Sequence, residues 1–216
     1  VFSMVTRGQQ DNPQVLDLSR IVKEWISPDV DQMISSPQNS MIAMASQSLN
    51  EVFIFRYYSD GKENLMEAWT SWLMPGTVQF IATHSDDMYA VTKQGDQFTL
   101  SKAALSQSPE QAIIVNNQGQ KVNPSVDLYA TASSVVYDSS TKVSKCYIPY
   151  NDVSTLTPVI VIKGNTSSGS FVESGFTVTP ERGSDGTGPY FSVANKDLSG
   201  VASDVIVGFK YNFDVE

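Results

Sequence analysis

From Ser40 onward the chain alternates short apolar runs with turn-forming residues, and this pattern constrains the fold more than any other feature. Apolar runs of about four to eight residues between turn signals are typical of strands. Connectors such as Pro75-Gly76 and Gln94-Gly95-Asp96 favour tight turns, so consecutive strands should pair antiparallel. In the first half we predict strands at Met41–Ala45, Glu51–Tyr58, Glu67–Met74, Val78–Thr83, Met88–Thr92 and Gln97–Leu100.

The composition agrees with an all-β chain and limits its partners. Charged residues make up only 17% of the sequence, so Ser, Thr, Asn and Gln must supply the polar surface. Together with Val, Tyr and Phe they favour strands and turns. The formal charge of −9 opposes tight wrapping of nucleic acid, although DNA can pass an acidic wall without being held.

One segment departs from the strand pattern. Residues Asn12–Ile26 approximate the apolar stripe of an amphipathic helix. Asp11 or Asn12 would cap this helix, with Pro13 at its first position, and Pro28 would stop it. We therefore predict an all-β fold with one short helix.

A weak internal repeat is present in the first half. Met41-Ile42-Ala43 aligns with Phe80-Ile81-Ala82, and Glu51–Ile54 aligns with Asp87–Ala90, at an offset of about 36 to 39 residues. This resembles the period of a β-propeller blade. Two blades do not close a propeller, so the others would lie elsewhere in a longer parent protein.

The chain is expected to contain two regions. Residues 1–105 form the first, a partial β-propeller-like region of antiparallel meander blades with the N-terminal helix, and the polar residues 106–125 form a linker. Residues 126–216 form an inserted β-sandwich or barrel. Its predicted strands are Val126–Ala132, Val135–Tyr137, Lys142–Ile148, Val159–Lys163, Phe171–Thr179, Tyr190–Val193 and Val205–Tyr211.

The single cysteine and the chain ends bear on location. Cys146 cannot form an intrachain disulfide and is expected to be half-buried in a strand. No charged-then-apolar leader is present, and the longest aliphatic run, Val159–Ile162, is far below the roughly 20 residues of a membrane helix. The sequence starts at Val1 without Met and stops at Glu216, just after the strand-like run Tyr211–Val215, so we expect a fragment of a longer protein.

No group of residues predicts catalysis. His84 is the only histidine, which excludes a multi-histidine metal site, and it should end a strand beside a turn. No Gly-x-Ser-x-Gly elbow presents a nucleophile. Acidic pairs such as Glu63 with Glu67 occur by chance among 23 acidic residues, and Asp86 and Asp87 are expected in a turn. We predict no catalytic, cofactor-binding or metal-binding residues, no cofactor and no enzymatic activity.

The segment Glu181–Gly188 is rich in glycine and carries charges, but it matches no ligand-binding pattern. It has no Gly-Lys-Ser/Thr end that opens a helix, and its acidic residues lack the spacing of a calcium loop. We expect a mobile hairpin loop that is free to touch partners.

Trp69 and Trp72, with Tyr57 and Tyr58 nearby, are the best candidates for an interface anchor or a sugar-stacking platform. On a strand, positions 69 and 72 point to opposite faces. One tryptophan should therefore fill the core, and only the other is available to a partner.

Several segments occur in an order that identifies a family. These segments are Leu16–Ile26, Asn50–Tyr58, Ala68–Trp72, Asp87–Val91 and, after the predicted insert, Val207–Tyr211. Over residues 11–105 above all, the chain resembles the tail tubular protein B, or nozzle protein, of short-tailed bacteriophages (podoviruses). This family has no catalytic motif to transfer.

The resemblance implies a structural subunit of a virion tail, part of the distal tail tube through which genome DNA is ejected. The full-length protein would form a homo-oligomeric ring, a hexamer, between a proximal tail adaptor and tail fibre proteins. Genome DNA would pass through the lumen without specific binding. The alternative hypothesis is a carbohydrate-binding or carbohydrate-cleaving β module acting on host surface glycan, suggested by Trp69, Trp72 and the acidic pairs.

Overall fold

A computed structural model describes residues 2–5, 14–17, 22, 24, 26, 29–59, 64–105, 114–115, 121–122, 126–164 and 174–210. Antiparallel sheets dominate these residues, which confirms the predicted fold class. The chain divides into two compact units, Val1–Ser106 and Gln107–Glu216.

The first unit contains two antiparallel meanders and a short hairpin. The strands are β1 (Phe2–Val5), β2 (Gln14–Asp17), β3 (Gln32–Ser36), β4 (Met41–Ala45), β5 (Glu51–Ser59), β6 (Asn64–Leu73), β7 (Thr77–His84), β8 (Asp87–Gln94) and β9 (Gln97–Ala104). The hairpin pairs β1 with β2, a four-stranded sheet has the order β3-β4-β5-β6, and a three-stranded sheet has the order β7-β8-β9. The two larger sheets follow chain order, as expected when short turns join neighbouring strands.

The two meanders bury their facing sides against each other. Ala43, Val52 and Ile54 from the four-stranded sheet form one core cluster with Ile81 and Met88 from the three-stranded sheet. On the other side of the four-stranded sheet the side chains of Met44, Phe53 and Phe55 are buried as well. The centre of this sheet is therefore buried on both sides.

The predicted helix at Asn12–Ile26 is wrong for residues 14–17, because these residues form β2. They pair antiparallel with β1, from Phe2 opposite Asp17 to Val5 opposite Gln14. A nearby strand partner offers the backbone inter-strand hydrogen bonds, and this outweighs a local pattern of period 3.6. The remainder of the predicted helix lies outside the described residues, apart from Val22, Glu24 and Ile26.

Gln32 joins the two meanders by acting as a neighbouring strand would. Its amide nitrogen donates to the carbonyl of Gln79 at 3.2 Å, and its amide oxygen accepts the N–H of Ile81 at 3.1 Å. The register of β7 shifts between Val78 and Phe80, so Gln79 is the extra residue of a bulge. One side chain thus satisfies two backbone groups at the edge of β7.

Replacing Gln32 by leucine is expected to lower the free energy of unfolding of the first unit by about 1–2 kcal/mol, because the Ile81 N–H loses its acceptor. Urea denaturation followed by tryptophan fluorescence measures this loss.

Gln47→Leu is the matched control, since Gln47 reaches the Gln79 carbonyl at 3.4 Å from an exposed position. Its cost should stay within about 0.5 kcal/mol. Equal losses in both variants would argue against the bridging role of Gln32. Tryptophan fluorescence reports on the first unit because all three tryptophans, Trp25, Trp69 and Trp72, belong to that unit.

The second unit is a sandwich of two four-stranded antiparallel sheets. The strands are β10 (Ile114–Val115), β11 (Lys121–Val122), β12 (Val126–Thr131), β13 (Ser134–Asp138), β14 (Val143–Tyr147), β15 (Pro158–Ile162), β16 (Thr177–Val178), β17 (Glu181–Asp185), β18 (Gly188–Ala194) and β19 (Val205–Lys210). The two sheets have the orders β12-β19-β15-β16 and β13-β14-β18-β17, and a short pair, β10-β11, precedes them. Within the described residues neither sheet closes into a barrel, so of the two predicted folds, sandwich and barrel, the structure shows the sandwich.

The sandwich core is centred on aromatic and branched side chains of both sheets. Phe191 of β18 and Phe209 of β19 meet edge to face, with ring centroids 5.8 Å apart. Ile162 and Val207 belong to the same core cluster and are also fully buried. Ile114, within the stretch predicted as a linker, packs on the opposite side of the β15–β19 sheet with Val159, Val161 and Ile206.

Gly208 lies where two strands approach closely. A Cβ atom at this position would lie 2.4 Å from Val126 Cγ1 and 2.8 Å from the Asp127 carbonyl oxygen. Strand β12 bulges here, since its register on β19 shifts between Asp127 and Ala130 and Leu128 has φ of 49°. The missing side chain of glycine makes room for this bulge.

Candidate assembly surface

The side of the β7–β9 sheet that faces away from the core forms a continuous apolar surface. Its central row joins Phe80, Val91 and Leu100, which are direct cross-strand partners. Phe98, opposite Lys93, continues the surface in the next row. We call the following residues the outer face: Phe80, Tyr89, Val91, Lys93, Phe98, Leu100 and Lys102.

The outer face is exposed although it is apolar. Phe80 is 58% exposed, Phe98 64% and Leu100 69%, whereas Met88 and Ala90 on the opposite side of the sheet are buried. A run of large exposed apolar side chains on one sheet face commonly marks a protein interface. The three-stranded sheet therefore has one side packed in the core and one side available to a partner.

Two lysines lie on the outer face. Lys93 extends over the Phe98 ring, with its Nζ 5.7 Å from the ring centroid. Lys102 forms an ion pair with Asp87 at 2.8 Å. Lys93 and Lys102 thus place two ammonium groups beside the apolar side chains of this face, although the whole chain carries a net charge of −9.

A second surface lies on the side of the four-stranded sheet that faces away from the β7–β9 sheet, along β5 and β6. Trp69 is half-buried and packs on Phe55, with ring centroids 4.9 Å apart. Leu73 is 55% exposed opposite Glu51, and Glu67 is exposed opposite Tyr57. We call Glu51, Tyr57, Glu67, Trp69 and Leu73 the β6 face. Its two carboxylates belong to Glu51 and Glu67.

The opposite orientation of the two tryptophans is confirmed. Trp72 is paired with Val52 and packs against the core cluster between the meanders. Trp69 belongs to the β6 face. Tyr58, the other aromatic residue noted in the sequence, is 60% exposed.

The residues considered for catalysis are dispersed. His84 is exposed at the end of β7, before the turn that contains Asp86, and Asp87 begins β8. Glu67 lies on β6, and Glu63 lies outside the described residues. Among the residues whose positions are described, no three His, Cys, Asp or Glu side chains gather as metal ligands would.

The Glu181–Gly188 segment is a tight hairpin rather than a loop. Only Gly186 and Thr187 form its turn, between β17 and β18. Arg182 of β17 donates from Nη1 to both carboxylate oxygens of Asp152 at 2.5 and 2.6 Å. It also donates from Nη2 to the Leu156 carbonyl. The side chain therefore ties the connection between β14 and β15 to the sandwich.

Asp185, in the same hairpin, accepts hydrogen bonds that hold it within the sandwich. The ammonium group of Lys145 donates to it at 2.8 Å, and the backbone N–H of Thr187 donates at 3.0 Å. These bonds lower the pKa of Asp185 to about 2, so it stays ionised at neutral pH. Lys145 also lies over the Tyr190 ring, with Nζ 4.5 Å from its centroid. These contacts hold the hairpin to the neighbouring strand β14.

Cys146 is more deeply buried than the sequence suggests. It is 0% exposed at the centre of the sandwich core, rather than half-buried. Burial raises the pKa of its thiol to about 12. The side chain acts as a small apolar residue, because a protonated thiol in an apolar core is a poor nucleophile.

The stacked antiparallel sheets make this an all-β protein. Its exposed apolar sheet face is typical of proteins that associate with other proteins. The sequence matches the bacteriophage nozzle protein family over residues 1–216, and the chain belongs to this family. It is a structural component of a phage tail, located in the virion. Such a structural family suggests a non-enzymatic role.

No curated protein matches the chain. Among the helices of the described part, none is long and apolar enough to cross a membrane.

Proposed function

We propose that this protein forms part of the distal tail tube, the nozzle through which genome DNA leaves the particle. The full-length protein would assemble as a homo-oligomeric ring of six copies below the proximal tail adaptor and would contact tail fibre proteins. The family match over the whole chain supports the tail role. The outer face is the observation that carries the assembly role.

The exposure of the outer face argues for assembly in physical terms. Burying apolar area stabilises association by about 25 cal/mol for each Å² removed from water. Phe80, Phe98 and Leu100 are each more than half exposed and lie in adjacent rows of one sheet. Large apolar side chains in this arrangement form the centre of an interface once a partner covers them.

The charge of the chain supports a passive channel for DNA. A net charge of −9 repels phosphates, so a lumen lined by such a protein would not retain the genome. Repulsion between exposed charges is screened beyond about 8 Å at physiological salt, so the same charge would not keep DNA out of the lumen. In this proposal DNA therefore passes through the lumen without specific binding.

The two units suggest a division of roles. In this proposal the two meanders of the first unit are blades of a partial propeller, and the second unit is an inserted β domain. The meander order of both sheets and the weak sequence repeat support the blades. The buried sandwich core supports a domain with its own stability.

Cryo-electron microscopy of the full-length parent, mixed with the proximal adaptor ring of the same virus, tests the proposal. We expect a six-fold tube that extends the adaptor distally and contains both β units. A parent protein that stays monomeric beside the adaptor, or that is absent from purified virions by mass spectrometry, would rule out the nozzle role.

Leu100→Glu is expected to weaken association between copies by roughly tenfold to a hundredfold, because it places a charge in the centre of the outer face. Sedimentation velocity of the full-length protein measures the change. Val136→Glu is the matched control, since Val136 is 51% exposed on the other unit. Unfolding should be unchanged in both variants. Equal weakening by the two substitutions would contradict an assembly role for the outer face.

A further inference from the structure

The hairpin of β5 and β6 extends beyond the end of the four-stranded sheet. Among the described residues, the last backbone hydrogen bond from β5 on the β4 side joins the Tyr57 N–H to the Ser40 carbonyl at 3.0 Å. Strands β5 and β6 still pair with each other after this point, at Tyr58 opposite Met66 and one pair further. We call Tyr58 and Met66 the hairpin end. A two-stranded ribbon is only marginally stable in water by itself, so contact with a partner would stabilise it.

Both side chains of the hairpin end are exposed although they are largely apolar. Tyr58 is 60% exposed and Met66 is 69% exposed. They lie side by side, because they are direct cross-strand partners. Alternation along β5 places Tyr58 on the same side of the sheet as Val52 and Ile54, which pack in the core between the two meanders. The hairpin end therefore continues the core-facing side of the sheet past the core and into solvent.

We infer that the hairpin end of one copy binds the outer face of the next copy. This inference rests on the proposed ring and names two surfaces that would meet in it. Within one copy these surfaces cannot meet, because the outer face points away from the four-stranded sheet and the hairpin end lies on the core-facing side of that sheet. The contact therefore joins two copies of the chain.

The area of the two surfaces fits a contact that is repeated around a ring. Their large exposed side chains, each more than half exposed, are those of Tyr58, Met66, Phe80, Phe98 and Leu100. At about 100 to 150 Å² each, these side chains offer roughly 600 Å² of largely apolar surface. Stable pairs of proteins usually bury about 1,200 to 2,000 Å². One contact is thus too small to hold a free dimer, whereas a closed ring gives every copy two contacts.

The shapes and the side chains of the two surfaces are also compatible. The hairpin end is two strands wide and the outer face is three strands wide, with neighbouring strands about 4.8 Å apart. The narrow ribbon can therefore rest across the row of Phe80, Val91 and Leu100. A methionine thioether makes favourable contacts with aromatic rings, and tyrosine is frequent among the residues that anchor interfaces. A contact between two different surfaces leaves one of each free, so it continues into a ring or a filament.

Cross-linking of single-cysteine variants tests this contact. The native Cys146 is 0% exposed, and burial raises the pKa of its thiol to about 12, so an introduced surface cysteine is the one that reacts. We expect full-length Met66→Cys mixed with full-length Leu100→Cys to give a dimer with a short bismaleimide under conditions in which rings form. Either variant alone should give at most about a tenth of that yield. A chain that carries both substitutions should give a ladder that ends at the ring size.

Val136→Cys mixed with Met66→Cys is the matched control, since Val136 is exposed on the other unit, and this mixture should cross-link no more than either protein alone. A strong product from Leu100→Cys alone or from Met66→Cys alone would show pairing of like surfaces and overturn the inference. Rings seen by electron microscopy without a cross-link between positions 66 and 100 would also overturn it, and they would leave the nozzle proposal intact. If no ring forms, both the inference and the proposed function fail.

Discussion

Replacing Phe209 by alanine is expected to lower the free energy of unfolding of the second unit by about 3–5 kcal/mol. Phe209 is fully buried and meets Phe191 edge to face. Its ring also lies 6.3 Å from that of Tyr150 and 5.8 Å below the Arg182 guanidinium. The substitution therefore opens a cavity at the point where both sheets and the Arg182 contact converge.

Urea denaturation followed by far-ultraviolet circular dichroism measures this loss, which corresponds to a fall in Tm of roughly 10 °C or more. Phe98→Ala is the control, because Phe98 is 64% exposed and its truncation should cost under about 0.5 kcal/mol. Tryptophan fluorescence reports separately on the first unit. A Phe209→Ala protein as stable as the Phe98→Ala protein would show that the core is not centred on this ring.

Replacing Gly208 by valine is expected to destabilise the same unit by about 3 kcal/mol or more, through overpacking rather than a cavity. The new Cβ would lie 2.8 Å from the Asp127 carbonyl oxygen and 3.1 Å from the Tyr129 Cα. These are backbone atoms of the neighbouring strand, so they cannot move away as a flexible side chain would. Relief requires β12 to separate from β19.

Hydrogen exchange of the β12 amides measures this separation and distinguishes it from a general loss of stability. Gly186→Ala is the comparison, because a Cβ at Gly186 meets no atom within 4 Å. That variant should exchange as the natural protein does. Unchanged protection in the Gly208→Val protein would mean that the bulge adapts to a side chain, against the expectation from the backbone distances.

Strands with clear alternation and defined turns could be predicted closely from the sequence. Met41–Ala45 is correct at both ends, and the strand predicted at Val205–Tyr211 contains β19. Six strands were not predicted, namely β1, β2, β3, β10, β11 and β17, and two of them show the reason. Gln32–Ser36 has few apolar residues, and Glu181–Asp185 consists of charged and small ones. Both are edge strands, whose pairing depends on a neighbour rather than on their own hydrophobicity.

The candidate surface could be predicted only in part. Period-2 alternation shows that Phe98 and Leu100 share a face, and that Trp69 and Trp72 do not. Alternation does not show which of two faces is covered. Thr92, a polar residue, is buried, while Phe98 and Leu100 are exposed, so hydrophobicity alone selects the wrong side in this part of the sheet.

The sequence by itself determined the all-β class, most strands of both halves, the opposite orientation of the tryptophans and the family. These features depend on local alternation, turn residues and ordered motifs, which act over short stretches of chain. Only the tertiary structure decided that the second unit is a sandwich, that residues 14–17 form a strand, and that the outer face is exposed. Each of these depends on which distant segment covers a given strand, because burial and strand pairing are properties of neighbours in space.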